Sequence, residues 1–258
     1  MDRKTYWNET YLAYWSERVA ESSRLGNAST VVDGDAKTEG DDVYERIFKA
    51  CPFVGVTLLD VGCAWGRMFP LFKQHDLLIS GIDISAAMIE KAGEGWRDDP
   101  SIKTLREAEA EAIPFEDESF DNVTCLAVFD ATYQAAALGE FIRVLRPKGR
   151  LYLTGKSHFY SADDRLALEA EIGARRKHHP NYFTNVEAMI AQLQARGHRL
   201  LSEFYFPKRG DFAMLNFAEE RPERFYEYMI VIERGPDHVA FETFSDPYSA
   251  TYKAVSNA

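Results

Sequence analysis

Leu59-Asp60-Val61-Gly62-Cys63-Ala64-Trp65-Gly66-Arg67 is the stretch on which the fold turns. The apolar run 56–61 reads as a short buried strand, stops in small residues, and restarts as a helix over residues 67–74. Such a strand–loop–helix junction turns backbone N–H groups toward a ligand at the helix N-terminus. In an open parallel sheet, this crevice at the carboxyl ends of the strands is where cofactors bind. Glycines also serve a tight turn alone, so the loop marks a place and not yet a chemistry.

Outward from this stretch, strands and helices alternate. Residues 77–83 form a second apolar strand, 85–92 a helix and 103–107 a weaker strand. A strand at 122–128, a helix at 134–145 and a strand at 149–154 follow. This rhythm, with near-continuous apolar strands, predicts a parallel sheet with helices on both faces. Thr184 and Glu187 read as a capping box for a helix carrying Val186, Met189, Ile190 and Leu193, closed by Gly197. Residues 198–206 and 225–233 then read as strands without a crossover helix between them, hence an antiparallel pair at one sheet edge.

At the start of the chain, Trp7, Tyr11, Trp15 and Val19 recur every four positions, with Leu12 widening the stripe and Gly26 as a stop. This predicts a helix over 5–25 that either completes the core or closes over a ligand as a cap. Residues 27–42 read as a loop, and the tail beyond Pro236 keeps Phe241, Phe244, Tyr248 and Tyr252, too aromatic for a disordered end. The 258 residues are read as one domain: cap and loop 1–43, cofactor core 44–156, insertion 157–183, closing helix and strand pair 184–235, and tail 236–258.

Composition narrows the partners. A net charge of -11 repels a polyanion, so the expectation is a small-molecule partner and no nucleic acid. No apolar run approaches bilayer length, and Met1-Asp2-Arg3-Lys4 does not open a signal-peptide core, so a cytoplasmic protein without a membrane partner is expected. Cys51, Cys63 and Cys125 lie too far apart for metal-ligand spacing and read as buried thiols.

The second strand ends in Asp83, about 20 residues past the loop, where a carboxylate accepts both ribose hydroxyls of a nucleoside. A nicotinamide dinucleotide needs a third small residue where Arg67 stands. The segment 109–121, Glu-Ala-Glu-Ala-Ile-Pro-Phe-Glu-Asp-Glu-Ser-Phe-Asp, leads straight into the fourth strand. Arg143-Val144-Leu145-Arg146-Pro147-Lys148-Gly149 then ends a helix and opens the fifth.

In this order and spacing, these segments resemble the class I, Rossmann-like S-adenosylmethionine-dependent methyltransferases, particularly those acting on small molecules, over about residues 55–156. The resemblance implies a seven-stranded, mostly parallel sheet with an antiparallel last strand, and S-adenosyl-L-methionine as cofactor. It implies that Asp60, Gly62 and Gly66 cradle the methionine portion, with Ala64 in the place of the usual middle glycine, and that Asp83 holds the ribose. Ile84 and Met88 would pack on the adenine, Glu109 and the Ala110 backbone would meet its amino group, and the Leu126 backbone the cofactor's amino group. Two departures stand out: Ala64 adds a methyl group that negative φ would accommodate, and Glu109 replaces the commoner Asp.

Methyl transfer needs alignment of the acceptor atom with the methyl carbon, and sometimes a base. His158, Tyr160 and Tyr133 are the catalytic candidates, each with an ordinary structural role as its rival. The run Arg175-Arg176-Lys177-His178-His179 reads as helix-dipole complementation at the end of a helix opened by Ser161 and Asp164. The expectation is methyl transfer to a nitrogen or oxygen of a small acceptor. The alternatives are a nicotinamide-dependent oxidoreductase and an adenosylmethionine-binding protein without catalysis.

Overall fold

The computed structural model describes residues 3–11, 41–237 and 240–256. Seven strands form the central sheet: β1 Thr57–Val61, β2 Leu78–Asp83, β3 Ile102–Glu107, β4 Phe120–Cys125, β5 Leu145–Lys156, β7 Arg199–Phe206 and β8 Glu227–Glu233. Their order across the sheet is β3-β2-β1-β4-β5-β8-β7. β1 to β5 pair in parallel, while β8 runs antiparallel to both neighbours. The expected Rossmann-like sheet with an antiparallel last strand is therefore present. A separate pair, β6 Phe183–Thr184 with β9 Ser245–Asp246, ties the tail down, as its aromatics predicted.

Both faces are buried, which is why the central strands are apolar without alternation. One face packs Leu151, Leu153, Ile230 and Ile232 against the helices Gln134–Val144 and Val186–Ala195. The other packs Leu58, Tyr152, Met229 and Val231 against the helices Asp41–Ala50 (α1) and Phe69–Lys73 (α2). The remaining helices are α3 Ala86–Trp96, α4 Gln134–Val144, α5 Arg165–Arg176, α6 Val186–Ala195 and α7 Ala250–Ser256. No helix among the described residues is long and apolar enough to cross a membrane.

Local capping departs from the reading at two helices. α6 is capped by Asn185, whose side chain accepts from Ala188 N. Thr184 instead lies buried in β6, its Oγ1 bonded to Gln134 and Tyr228, so no capping box forms. α5 is capped by Asp164 alone. β4 also sits two to three residues earlier than expected, which leaves Leu126, Ala127 and Val128 in the loop beyond it. At the N-terminus, Arg3–Thr5 is α-helical and Tyr6–Tyr11 a π-helical turn. Leu12, Trp15, Val19, Gly26 and the stretch 27–40 lie outside the described residues.

Candidate functional site

The carboxyl ends of β1, β2 and β4 open into one cleft of about 220 Å³. Gly62 follows β1 with φ +76, and a Cβ there would fall 2.4 Å from Val128, which itself lines the cleft. Gly66 has φ +82, and its bare Cα lets α3 approach: a Cβ would meet the Phe69 ring and Trp96 Nε1. Gly66 does not line the cleft, so its role is the packing of loop against helix. Ala64 does line it, with φ +48. The negative φ that would accommodate the Ala64 methyl group is not adopted: the loop's turn takes the left-handed region, and alanine sits there at a cost of about 1–2 kcal/mol.

Asp83 closes β2 and is fixed by two backbone donors. Ala64 N donates to its Oδ2 at 2.9 Å and Ser85 N to its Oδ1 at 2.8 Å. Ser85, not Asp83, caps α3, accepting from Met88 N at 3.3 Å. Each Asp83 oxygen keeps acceptor capacity on the cleft side. Burial pushes its carboxyl above the ordinary range, against the pull of the two N–H groups. Asp60 is more extreme: it is 3% exposed, accepts Thr124 Oγ1 at 2.7 Å, and is pushed up to about 7 by burial and then by the nearby Asp83. A buried acid, Asp60, and a partly buried one, Asp83, at one end of a cleft otherwise lined by Ile84, Met88, Ala110 and Leu126 make an anionic pole next to an apolar slot.

The acidic pair in the 109–121 segment is distributed differently from the expectation. Glu109 is half exposed and pairs with Arg3 Nη2 at 3.1 Å, away from the cleft lining. Glu111 lines the cleft, taking Arg3 Nη1 and Nη2 at 2.5 and 2.6 Å and Tyr133 N at 2.5 Å. Arg3 stacks over the Tyr133 ring at 4.6 Å, and with Trp7 it forms part of the cleft wall. Asn8 accepts from Ser85 Oγ at 2.9 Å. The N-terminal segment thus lies over the cleft through residues that the aromatic stripe did not single out, apart from Trp7.

None of the three catalytic candidates lines the cleft. His158 Nδ1 lies 3.1 Å from Thr184 O, and burial lowers its pKa, so it is a backbone-held loop histidine. Tyr160 is fully buried and donates to Glu171 at 2.6 Å, in a small cluster with Phe183 and Tyr226. Tyr133 is exposed at the amino end of α4. In the basic run at the end of α5, Arg175 pairs with Glu171 and lies 3.6 Å from the Tyr248 ring centroid, a structural role. No group of three or more His, Cys, Asp or Glu among the described residues is placed to hold a metal.

Residues 59–153 match the family model described as a methyltransferase domain. Among curated proteins, the chain is 27% identical over 172 residues to the uncharacterized methyltransferase YcgJ of Bacillus subtilis, covering 66% of each. It is 30% identical over 125 residues to a phosphatidylethanolamine N-methyltransferase of Cereibacter sphaeroides, covering 47% of this chain and 60% of that one. The chain spans about half to two thirds of the length of such relatives. A solved S-adenosylmethionine-dependent methyltransferase from Mesorhizobium loti superimposes with TM-score 0.57 at 18% identity, over 74% of this chain and 97% of that one. With the strand order above, residues 59–153 match a methyltransferase domain and carry the Rossmann-like fold of the solved methyltransferases.

Proposed function

We propose that the chain transfers a methyl group from S-adenosylmethionine to a nitrogen or oxygen atom of a small-molecule acceptor. The observation that carries this reading is the placement of the Asp83 carboxylate. It is aimed into the cleft by two backbone N–H groups and retains acceptor capacity for a pair of vicinal hydroxyls. The other donors and walls fit the same cofactor. Asp60 supplies a buried negative charge for a cationic amino acid portion, and Ile84, Met88 and Ala110 offer apolar surface to a flat base. Glu111 stands at the cleft wall where Glu109 was expected, although Arg3 already engages it.

When bound, the cofactor supplies an electrophilic methyl carbon on a cationic sulfur. The chain's part is alignment and enclosure: the glycine loop and Asp83 fix the nucleoside, and Arg3 and Trp7 shield one wall from water. Arg67 in place of a third glycine and the antiparallel β8 weigh against the nicotinamide alternative.

Calorimetry tests the reading. S-adenosylmethionine and its demethylated product should bind, and NAD and NADP should not compete. Mass spectrometry of a metabolite extract incubated with protein and cofactor should show a metabolite heavier by one methyl. Nicotinamide binding without S-adenosylmethionine binding would overturn the proposal, and tight cofactor binding with no methylated product from any extract would favour the non-catalytic alternative.

A further inference from the structure

A second group of ionisable side chains stands at the same sheet edge and is not used by the cofactor cleft. Lys156 ends β5 and Glu227 opens β8, directly opposite one another in the ladder, so their side chains share a face. It is the face that carries Asp60 and Thr124, through the register Asp60 with Thr124 and Thr124 with Tyr152. Lys156 Nζ reaches Asp130 at 2.5 Å and Asn181 Oδ1 at 3.3 Å. Burial disfavours its charge, but Asp130 more than compensates, and the ammonium titrates above the ordinary lysine range. Arg209 Nη1 donates to Tyr226 Oη at 3.0 Å.

This cluster adjoins the cleft at two places. Asp130 neighbours Ala131, which lines the cleft. The Trp7 ring, also in the cleft wall, meets the His179 ring at 5.3 Å. His179 in turn lies close enough to Lys156 for the ammonium to help burial hold its imidazole neutral, down to about 4.

Glu227 is the unmatched member. Both cations of the cluster have partners, whereas the Glu227 carboxylate has no hydrogen bond or ion pair to any described residue. By its accessible surface it is only partly buried. Burial raises its pKa against the pull of Lys156 and Arg209, with Asp130 and Asp164 adding to the rise. An unpaired carboxylate in such a place is costly until a donor arrives. An anionic acceptor would set a second negative charge against it. An alcohol would donate a hydrogen bond but bring no charge, and its proton is held far too tightly for a carboxylate to remove. A protonated amine brings both donor and charge.

Resting on the methyl-transfer reading, we propose that the acceptor docks against this cluster and presents an ammonium group to Glu227. The ammonium donates to the carboxylate, its N–H bond breaks, the electron pair stays on nitrogen, and the proton is held on a Glu227 carboxyl oxygen. The nitrogen is then the neutral nucleophile that methylation requires.

The test uses the full chain saturated with the demethylated cofactor product. Ligand-observed NMR and calorimetry measure binding of aliphatic and aromatic amines, their isosteric alcohols and the matching carboxylates. Amines should bind at least tenfold more tightly than the alcohols and carboxylates. Glu227→Gln should lower amine affinity at least tenfold while leaving cofactor affinity within twofold and the melting temperature equal or higher, since no ion pair is lost. Glu227→Asp, which keeps the charge, should retain part of the amine affinity. Amines binding Glu227→Gln as tightly as the parent, carboxylates binding best, or no amine binding to cofactor-saturated protein would each overturn the proposal and leave the methyl-transfer reading standing. Failure of the parent to bind cofactor would overturn both.

Discussion

On the proposed cofactor reading, Asp60 makes cofactor affinity a function of pH. Its carboxyl titrates at about 7 in the free cleft because burial and the neighbouring Asp83 disfavour its charge. S-adenosylmethionine is a cation through its sulfonium, with an α-amino group that stays protonated to about pH 7.7. A cation beside Asp60 favours the ionised carboxylate, so below pH 7 binding must expel a proton. If the bound carboxyl titrates about a unit or more below pH 5.5, linkage predicts that affinity rises about 25-fold between pH 5.5 and 7.5, close to tenfold per unit at the acid end. The demethylated product lacks the sulfonium charge and should show a shallower slope.

The free protein should respond in the opposite sense. The folded pKa of Asp60 is raised above the unfolded value, so its favourable contribution is fully present below about pH 4 and is lost as pH rises through about 7. Across that window the melting temperature of the free protein should decline by this term, while the increment produced by cofactor should grow. Calorimetry in steps from pH 5.5 to 7.5, on the parent and on Asp60→Asn, reads both effects. The variant should bind more weakly at pH 7.5 and show little slope. A flat affinity profile in the parent, or an undiminished slope in Asp60→Asn, would refute the argument.

Three further outcomes follow from the same cleft. Asp83→Asn should weaken cofactor binding about ten- to hundredfold, the worth of one charge-assisted hydrogen bond, and lower the melting temperature, because its amide would face one of the N–H groups of Ala64 and Ser85; unchanged calorimetric affinity would exclude a ribose role. Ala64→Gly should relieve about 1–2 kcal/mol of left-handed strain, less about 0.4–1 kcal/mol from the wider unfolded ensemble, raising the melting temperature by up to about 6 °C; a fall would show that the methyl group packs usefully. Arg3→Ala should speed cofactor dissociation with little change in melting temperature, since Arg3 holds the N-terminal segment onto Glu111 at the cleft wall; an unchanged rate in stopped flow would exclude a closing role for that contact.

The sheet and the cleft were legible because each rests on a local signal. Apolar runs ended by small residues specify strands at a carboxyl edge, and Asp83 stands where the second of them stops. What was missed depends on three-dimensional direction. Helix α1 carries Val43, Tyr44, Ile47 and Phe48, an i, i+1, i+4, i+5 pattern that periodicity could have found, but a polar approach and few flanking residues hid it. Glu109 and Glu111 sit in an irregular stretch where no period tells which carboxylate turns inward, and their separation depends on Arg3, more than 100 residues away in sequence. The φ of Ala64 is set by the loop that Asp83 clasps, and residue identity alone does not give it. Glu227 looked like a polar residue at the start of a strand, and only the β5–β8 register sets it beside Lys156.

The reversal of β8 is what brings these two halves together. In a parallel sheet only carboxyl ends reach the functional edge, and each further strand requires a crossover that returns across a face. Because β8 is antiparallel to β5, its amino end lies at that edge, and Glu227 arrives opposite Lys156. The connection from Phe206 to Glu227 therefore starts and finishes at the same edge, and it carries Arg209 to the Tyr226 hydroxyl without any covering helix. One face of the sheet consequently presents Asp60, Thr124, Lys156 and Glu227 along its rim above an apolar interior. Polar residues at strand ends cost less than at strand centres, since the edge opens into a solvent-reached cleft. The same topology that buries both faces of the sheet thus leaves this rim as the place where an anionic pole for a cofactor and an unpaired carboxylate for an acceptor can stand side by side.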